Sequence, residues 1–389
     1  MLKQERRKIT MSNENTDSKM TLAAAYEKLL QAVCPEDIFG EITEPGEAGK
    51  DQIKKIYRDL SKVVHPDLYE SNRSQKEMAK DAFQILNTLH EKAEKSLEEG
   101  TYGLRIPSEN RQASAGGFTI KTQKREYIIQ SALATGDLET IYAGTVIGVS
   151  GLEGKVAVKI VLDPADNDLA FNEIKVLKIF QAQPSQQSKH LPVLLDNFKT
   201  TENQYGLILR YFDGYDLYSV REKYEHGLDP RHVAWILARS LSAIGYAHSQ
   251  DIIHGNLEPA HILVRPRDHN IMLVDWSYAC VNPLVAGDSF KVYNEPYSPP
   301  EVAEKKPPLP SSDLYSLGKT MIYLLGGDPK TNFIPLGVPG EFKQLLQAMV
   351  LPSPLQRPRD AWELYRYLGE LRTKIWGASR FLELSMNNH

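Results

Sequence analysis

Between residues 100 and 117 the chain changes its period, and a single compact unit cannot absorb such a break. Gly100-Thr101-Tyr102-Gly103, Pro107-Ser108-Glu109-Asn110 and Ser114-Ala115-Gly116-Gly117 carry glycine, serine and proline with little apolar content, the composition of an exposed linker. Upstream, from Thr21 to about Thr101, long-chain residues give a helical text that only Glu44-Pro45-Gly46-Glu47-Ala48-Gly49 interrupts. Downstream, Tyr127-Ile128-Ile129, Thr140-Ile141-Tyr142-Ala143-Gly144 and Val156-Ala157-Val158-Lys159-Ile160-Val161 read as short strands. From about Leu228 helical spacing returns with Val233, Ile236, Leu237, Leu241 and Ile244, and further helices start near Asp313, Glu341 and Arg359. The expected organisation is a disordered tail at 1–19, an all-α domain at 20–99, a flexible linker at 100–117, and a β-rich lobe followed by an α-rich lobe over 118–372. Residues 373–389 read as a C-terminal tail.

Composition narrows the class. Hydrophobic residues at 41% and charged residues at 25% of 389 exclude wholesale disorder and a disulfide scaffold. With 46 basic against 50 acidic residues the net charge is −4, so neither nucleic acid nor membrane is an expected partner, and any charged partner must meet a local patch. Cys34 and Cys280 lie far apart without neighbouring Cys or His ligands and read as buried thiols. No apolar run reaches the ~18–20 residues of a membrane span, and the basic start Met1 to Lys8 lacks an apolar segment behind it, so the expected location is the cytoplasm.

Within the helical segment, Asp51 is a candidate cap for a helix whose apolar stripe is Ile53, Ile56, Leu60 and Val63/Val64. Lys54, Lys55, Arg58 and Lys62 make its other face basic. Pro66 stops that helix at His65-Pro66-Asp67, and after Ser71-Asn72 a return helix buries Met78, Ala82, Ile85/Leu86 and Leu89. An ordinary antiparallel helix pair with a solvated basic face accounts for the composition alone equally well. The order of features, with Ile38-Phe39-Gly40 upstream, resembles the J-domain of DnaJ-type co-chaperones from about Pro35 to Leu89. The resemblance implies docking on a DnaK-type heat-shock ATPase and stimulation of its ATP hydrolysis, with His65, Pro66, Asp67, Lys54, Lys55, Arg58 and Lys62 as the chaperone-binding set. The stretch from Gly40 to Asp51 is longer than usual for that family, and Thr21 to Cys34 adds a helix.

The second segment presents His254-Gly255-Asn256-Leu257-Glu258-Pro259-Ala260-His261, then Leu273-Val274-Asp275-Trp276-Ser277, Ser298-Pro299-Pro300-Glu301, Ser312-Asp313-Leu314 and Gln356-Arg357-Pro358. In that order and spacing these resemble a protein kinase domain along nearly its whole length, with a small lobe at 118–209 and a large lobe at 213–372. The resemblance implies that Lys159 grips nucleotide phosphates, that Glu173 pairs with it, and that Asp275 binds magnesium. It also implies a buried Glu301–Arg357 ion pair, Asp313 bracing the catalytic loop, and Leu209 to Phe212 as the hinge, with Gly214 and Asp216 at its exit.

The departures from that family decide the chemistry. Asn256 stands where a catalytic Asp would take the substrate proton, and an amide cannot act as that base. His261 replaces the second magnesium ligand and Glu258 reverses the charge of a phosphate-supporting lysine. The glycine-rich loop reads Ala134-Thr135-Gly136-Asp137-Leu138-Glu139, with one glycine, Gly136, and an added carboxylate, while Gly255 replaces the arginine that reads an activation-loop phosphate. The sequence therefore reads as a multidomain chain, an all-α J-domain hairpin followed by a two-lobed α+β kinase-like fold. Its expected function is co-chaperone activity joined to a target-binding or regulatory pseudokinase, with Mg-ATP bound weakly or not at all. The alternative is an active Ser/Thr-type kinase recruited to chaperone clients, and a third reading is a scaffold in which neither motif acts.

Overall fold

The computed structural model describes residues 20–32, 34–40, 42, 47–98, 102, 117–149, 154–378 and 380–386. The expected tail at 1–19 and nearly all of the expected linker at 100–117 lie outside these residues.

Four helices build the N-terminal module: α1 (Leu22–Gln31), α2 (Glu36–Phe39), α3 (Glu47–Val64) and α4 (Arg73–Glu98). Thr21 caps α1 by accepting the Ala24 N–H at 3.3 Å. The α3 helix starts at Glu47, one turn before the expected cap Asp51, so Asp51 sits inside it. Ile53, Leu60 and Val64 are buried from α3, and Met78, Ala82, Leu86 and Leu89 from α4. Ile56, Val63 and Ile85 pack at the margin, and α1 and α2 supply Tyr26, Leu29, Ile38 and Phe39 to complete the core. Gly40 ends α2 in the left-handed region at φ 77°, which a side chain there would resist.

A six-stranded antiparallel sheet follows: β1 (Phe118–Lys121), β2 (Glu126–Thr135), β3 (Glu139–Val146), β4 (Lys155–Val161), β5 (Leu194–Lys199) and β6 (Tyr205–Arg210), in the order β1-β2-β3-β4-β6-β5. Helix α5 (Asn167–Ala182) crosses between β4 and β5 and packs on β5 and β6. Alternation sends Val156, Val158 and Ile160 to one face of β4 and Lys159 to the other, where it confronts α5.

The chain then passes through β7 (Tyr215–Asp216) into α6 (Leu217–Lys223) and α7 (Pro230–Ser249). The expected stripe Val233, Ile236, Leu237, Leu241 and Ile244 is wholly buried in α7. Short strands β8 (Ile252–Ile253), β9 (Ile262–Arg265), β10 (Asn270–Leu273) and β11 (Cys280–Val281) precede α8 (Pro283–Ala286), α9 (Pro300–Ala303), α10 (Pro310–Leu324), α11 (Gly340–Met349) and α12 (Ala361–Trp376). A β lobe followed by an α lobe is the arrangement read from the sequence. The expected boundary at residue 372 falls inside α12, and the segment after it packs back on the lobe: Leu384 is buried and Tyr224 donates to the Ser385 carbonyl at 2.9 Å. Both cysteines are free and buried, and burial pushes the Cys34 thiol up to about 12 and the Cys280 thiol to about 11.

The two modules touch. Arg125, before β2, forms an ion pair with Asp37 of α2. Arg210, at the end of β6, donates to the Ala32 carbonyl at 2.7 Å, and Lys189 meets Asp81 of α4 at 3.2 Å.

Candidate functional site

Lys159 is the centre of the cleft between the lobes. Its Nζ lies 2.7 Å from Glu173 of α5, 2.7 Å from Asp275 after β10, and 2.7 Å from Glu139 at the start of β3. Burial opposes the ammonium charge, yet Asp275, Glu173 and Glu139 together hold it well above its ordinary value. Glu173 Oε1 also accepts the Trp276 N–H at 3.1 Å, and the Asn172 amide donates to the Ser277 and Ala279 carbonyls, both at 2.8 Å. Helix α5 is therefore fastened to the Asp275 segment by side chain and backbone alike. Trp276 is fully buried between Phe180 of α5, ring centroids 4.8 Å apart, and His254 of the large lobe, 4.5 Å apart, which ties that segment to both lobes.

Asp275 sits in the left-handed region at φ 62°. Its Oδ1 accepts from Lys159 and from the Ser277 hydroxyl at 2.6 Å, and its Oδ2 lies 3.3 Å from His261 Nε2. Against the effect of burial, Lys159 and then His261 keep this carboxyl well below the usual carboxylate range. The loop beneath is held by Asp313 of α10, which accepts the N–H groups of His254 and Gly255 at 2.9 Å each and faces His248 Nε2 at 2.9 Å. Gly255 turns at φ 77°, and a Cβ there would stand 3.3 Å from the Tyr278 carbonyl.

Asn256 engages the loop through its backbone, its N–H donating to His254 Nδ1 at 3.3 Å and its carbonyl meeting His261 Nδ1 at 2.6 Å. Glu258 turns toward Asn294, with which it hydrogen-bonds, and toward Tyr218 at 3.5 Å; its other oxygen lies 3.6 Å from His261. Gly136 closes the β2–β3 hairpin by donating its N–H to the Glu139 carbonyl at 2.9 Å, and this places the Glu139 carboxylate on Lys159. The residues present suit a nucleotide phosphate at Lys159 only once Glu139 withdraws. They do not suit a magnesium pair: Asp275 is occupied on both oxygens, and among the described residues no group of three or more His, Cys, Asp or Glu is arranged to hold a metal ion. Deeper in the large lobe, Arg357 grips Glu301 through both guanidinium nitrogens, at 2.6 and 2.9 Å, with both side chains buried.

On the N-terminal module, Lys54, Lys55, Arg58 and Lys62 are exposed along α3 and Asp67 is exposed at the turn. His65 Nδ1 accepts the Asp67 N–H at 3.4 Å while its ring packs edge-on to Phe83, centroids 5.0 Å apart, and Tyr69 donates to the Val63 carbonyl at 2.7 Å. The structure thus gathers His65, Pro66 and Asp67 into one turn beside the basic face.

Sequence reading anticipated the Glu139 charge but not its direct pairing with Lys159, and it missed Asn172, Ser277 and the docking residues Arg125 and Arg210. Asn172 immediately precedes Glu173, the one local signal available. A long-range arginine contact leaves no period in the sequence.

Residues 142–334 match the family described as the protein kinase domain. Curated relatives agree. Serine/threonine-protein kinase F of Synechocystis is 26% identical over 200 residues, 46% of this chain and 39% of the relative. Serine/threonine-protein kinase Sgk2 is 30% identical in Rattus norvegicus over 51% of this chain and 56% of the relative. The human Sgk2 is 29% identical over 59% and 66%. The chain spans less than two thirds of each of these relatives. The two-lobed α+β fold is kinase-like, and the matched residues do not include the N-terminal helices.

Proposed function

We propose that the chain is a co-chaperone in which the N-terminal module docks on a DnaK-type ATPase through His65, Pro66, Asp67 and the basic face of α3, while the kinase domain holds a protein target without transferring phosphate. The observation that carries this reading is chemical: Asn256 offers no base, and Glu139 and Asp275 already occupy the lysine that a phosphate would need. Exposed Lys54, Lys55, Arg58 and Lys62 suit encounter with an acidic partner surface, which salt would weaken. The test is ATPase turnover of a DnaK-type chaperone with the full chain added. Stimulation that vanishes in His65→Gln, with the helical content unchanged, is expected; equal stimulation by that variant overturns the docking assignment.

A second reading, a Ser/Thr-type protein kinase acting near chaperone clients, has the stronger support from the comparisons, since the relatives named above are Ser/Thr kinases. The intact Lys159–Glu173 pair beside Asp275 also favours it. Label transfer from radioactive ATP to generic substrates, lost in both Lys159→Met and Asp275→Asn, would establish this reading and assign the proton transfer to Glu258 or His261. No label above background would leave the domain as a binding module.

A further inference from the structure

A cleft of about 530 Å³ lies where α1 and α4 meet the hinge segment and the β9–β10 turn, outside the Lys159 site. Two buried polar atoms on its lining have no partner, Tyr26 Oη and Arg210 Nε. An orphaned guanidinium N–H in a buried wall costs free energy that an acceptor would recover. The carboxylates lining the cleft are already taken: Asp81 by Lys189 at 3.2 Å, Asp213 by Arg267 at 3.7 Å and Asp268 by Arg265 at 2.7 Å. Among the described residues, Arg239 and Lys155 line the same space without a carboxylate ion pair, and Arg210 has only the electrostatic influence of Asp37. Arg210 spends only Nη2 on the Ala32 carbonyl, and Lys155 rests over the Tyr211 ring at 5.6 Å. Burial pulls the Arg210 guanidinium down to about 10, and the charge of Asp37 offsets only part of that effect.

We propose that this cleft binds a phosphate group, which accepts hydrogen bonds from Arg210 Nε and Tyr26 Oη and is neutralised by Arg239 and Lys155. Planar arginine donors around a tetrahedral oxyanion suit phosphate better than a halide, and the cleft is larger than one phosphate fills. Because Tyr26 belongs to α1 and Arg210 to β6, the bound group spans both modules and favours their contact.

The test is thermal unfolding of the full chain with sodium phosphate against sodium chloride at matched ionic strength. A saturable rise in melting temperature with phosphate is expected, with apparent affinity about tenfold weaker in Arg239→Ala and in Lys155→Ala, the loss of one charge-assisted contact. Lys159→Met should bind as wild type, which separates this cleft from the nucleotide site. Lys155 is exposed on the cleft rim, so its variant carries the test if Arg239→Ala folds poorly. Ribose 5-phosphate binding more tightly than inorganic phosphate assigns a phosphorylated small molecule, and equal binding assigns the free ion. No rise beyond chloride, or equal affinity in wild type and both variants, overturns the proposal.

Discussion

Glu139 Oε1 and Lys159 Nζ stand 2.7 Å apart across the mouth of the cleft, the side chains 18% and 4% exposed. On the resemblance to protein kinases, a nucleotide phosphate would meet Lys159 where this carboxylate stands, and it would have to displace that partner to bind. Glu139→Gln removes that competitor and is expected to raise affinity for Mg-ADP roughly tenfold, about 1.4 kcal/mol, read by isothermal titration calorimetry. Unchanged affinity would show that the phosphate bypasses Lys159.

The same carboxyl gives a pH signature. Burial, reinforced by Asp275 and Glu173 and opposed by Lys159, pushes Glu139 up to about 7 from its ordinary 4.5. The folded state therefore retains a proton that the unfolded chain has released, and the stability Glu139 contributes is full below 4.5 and declines as pH rises toward 7. Nucleotide affinity should accordingly increase from pH 8 to pH 6, where Glu139 neutralises and frees Lys159. In Glu139→Gln that slope should flatten to whatever the ligand's own titration leaves.

Arg357 and Glu301 form a bidentate pair with side chains 0% and 2% exposed, and Arg357 also donates to the Leu351 and Pro352 carbonyls. Arg357→Met strands the Glu301 carboxylate in the core, a loss of about 3–5 kcal/mol in urea unfolding. Glu301→Gln in the Arg357→Met background should recover part of it. If Arg357→Met alone unfolds at the wild-type midpoint, the pair contributes only geometry.

Much of this architecture is legible in the residues because local patterns write it. The period change near residue 100, the α7 stripe and Pro66 between two amphipathic helices each follow from side-chain spacing within a few turns. Lys159, Glu173 and Asp275 are legible although 116 residues separate Lys159 from Asp275, because the order and spacing of the motifs together, and no one of them alone, resemble a protein kinase domain. What escaped is carried by contacts with no local pattern. The hairpin register that sets Glu139 on Lys159 depends on the β2 bulges between Ile129 and Ala134, which no alternation announces. The expected C-terminal tail failed for a related reason: Leu384 looks like any isolated apolar residue until the groove that receives it exists.

Asp313 is 2% exposed and its two oxygens hold the His254 and Gly255 amides and face His248. Asp313→Ala leaves two loop N–H groups without an acceptor, about 2–4 kcal/mol in thermal or urea unfolding. Asp313→Asn keeps an acceptor for one of them and should fall between wild type and Ala. Equal loss in both variants would indicate that charge, not hydrogen bonding, does the bracing.

The contact between the modules rests on opposite charges that can be exchanged. Arg125 and Asp37 pair with side chains 30% and 20% exposed, partly shielded from salt, so Arg125→Glu sets two carboxylates face to face. The helical module should then loosen from the β lobe while each module keeps its own core, since the pair belongs to neither. Limited proteolysis would report this as faster cleavage between residues 99 and 117, with far-ultraviolet circular dichroism unchanged. Adding Asp37→Arg to Arg125→Glu restores the pair in reverse and should return cleavage to near the wild-type rate, a coupling on the order of 1 kcal/mol in the double-mutant cycle. If the double variant cleaves as fast as Arg125→Glu alone, the ion pair does not hold the modules together, and the Arg210–Ala32 and Lys189–Asp81 contacts carry the docking instead.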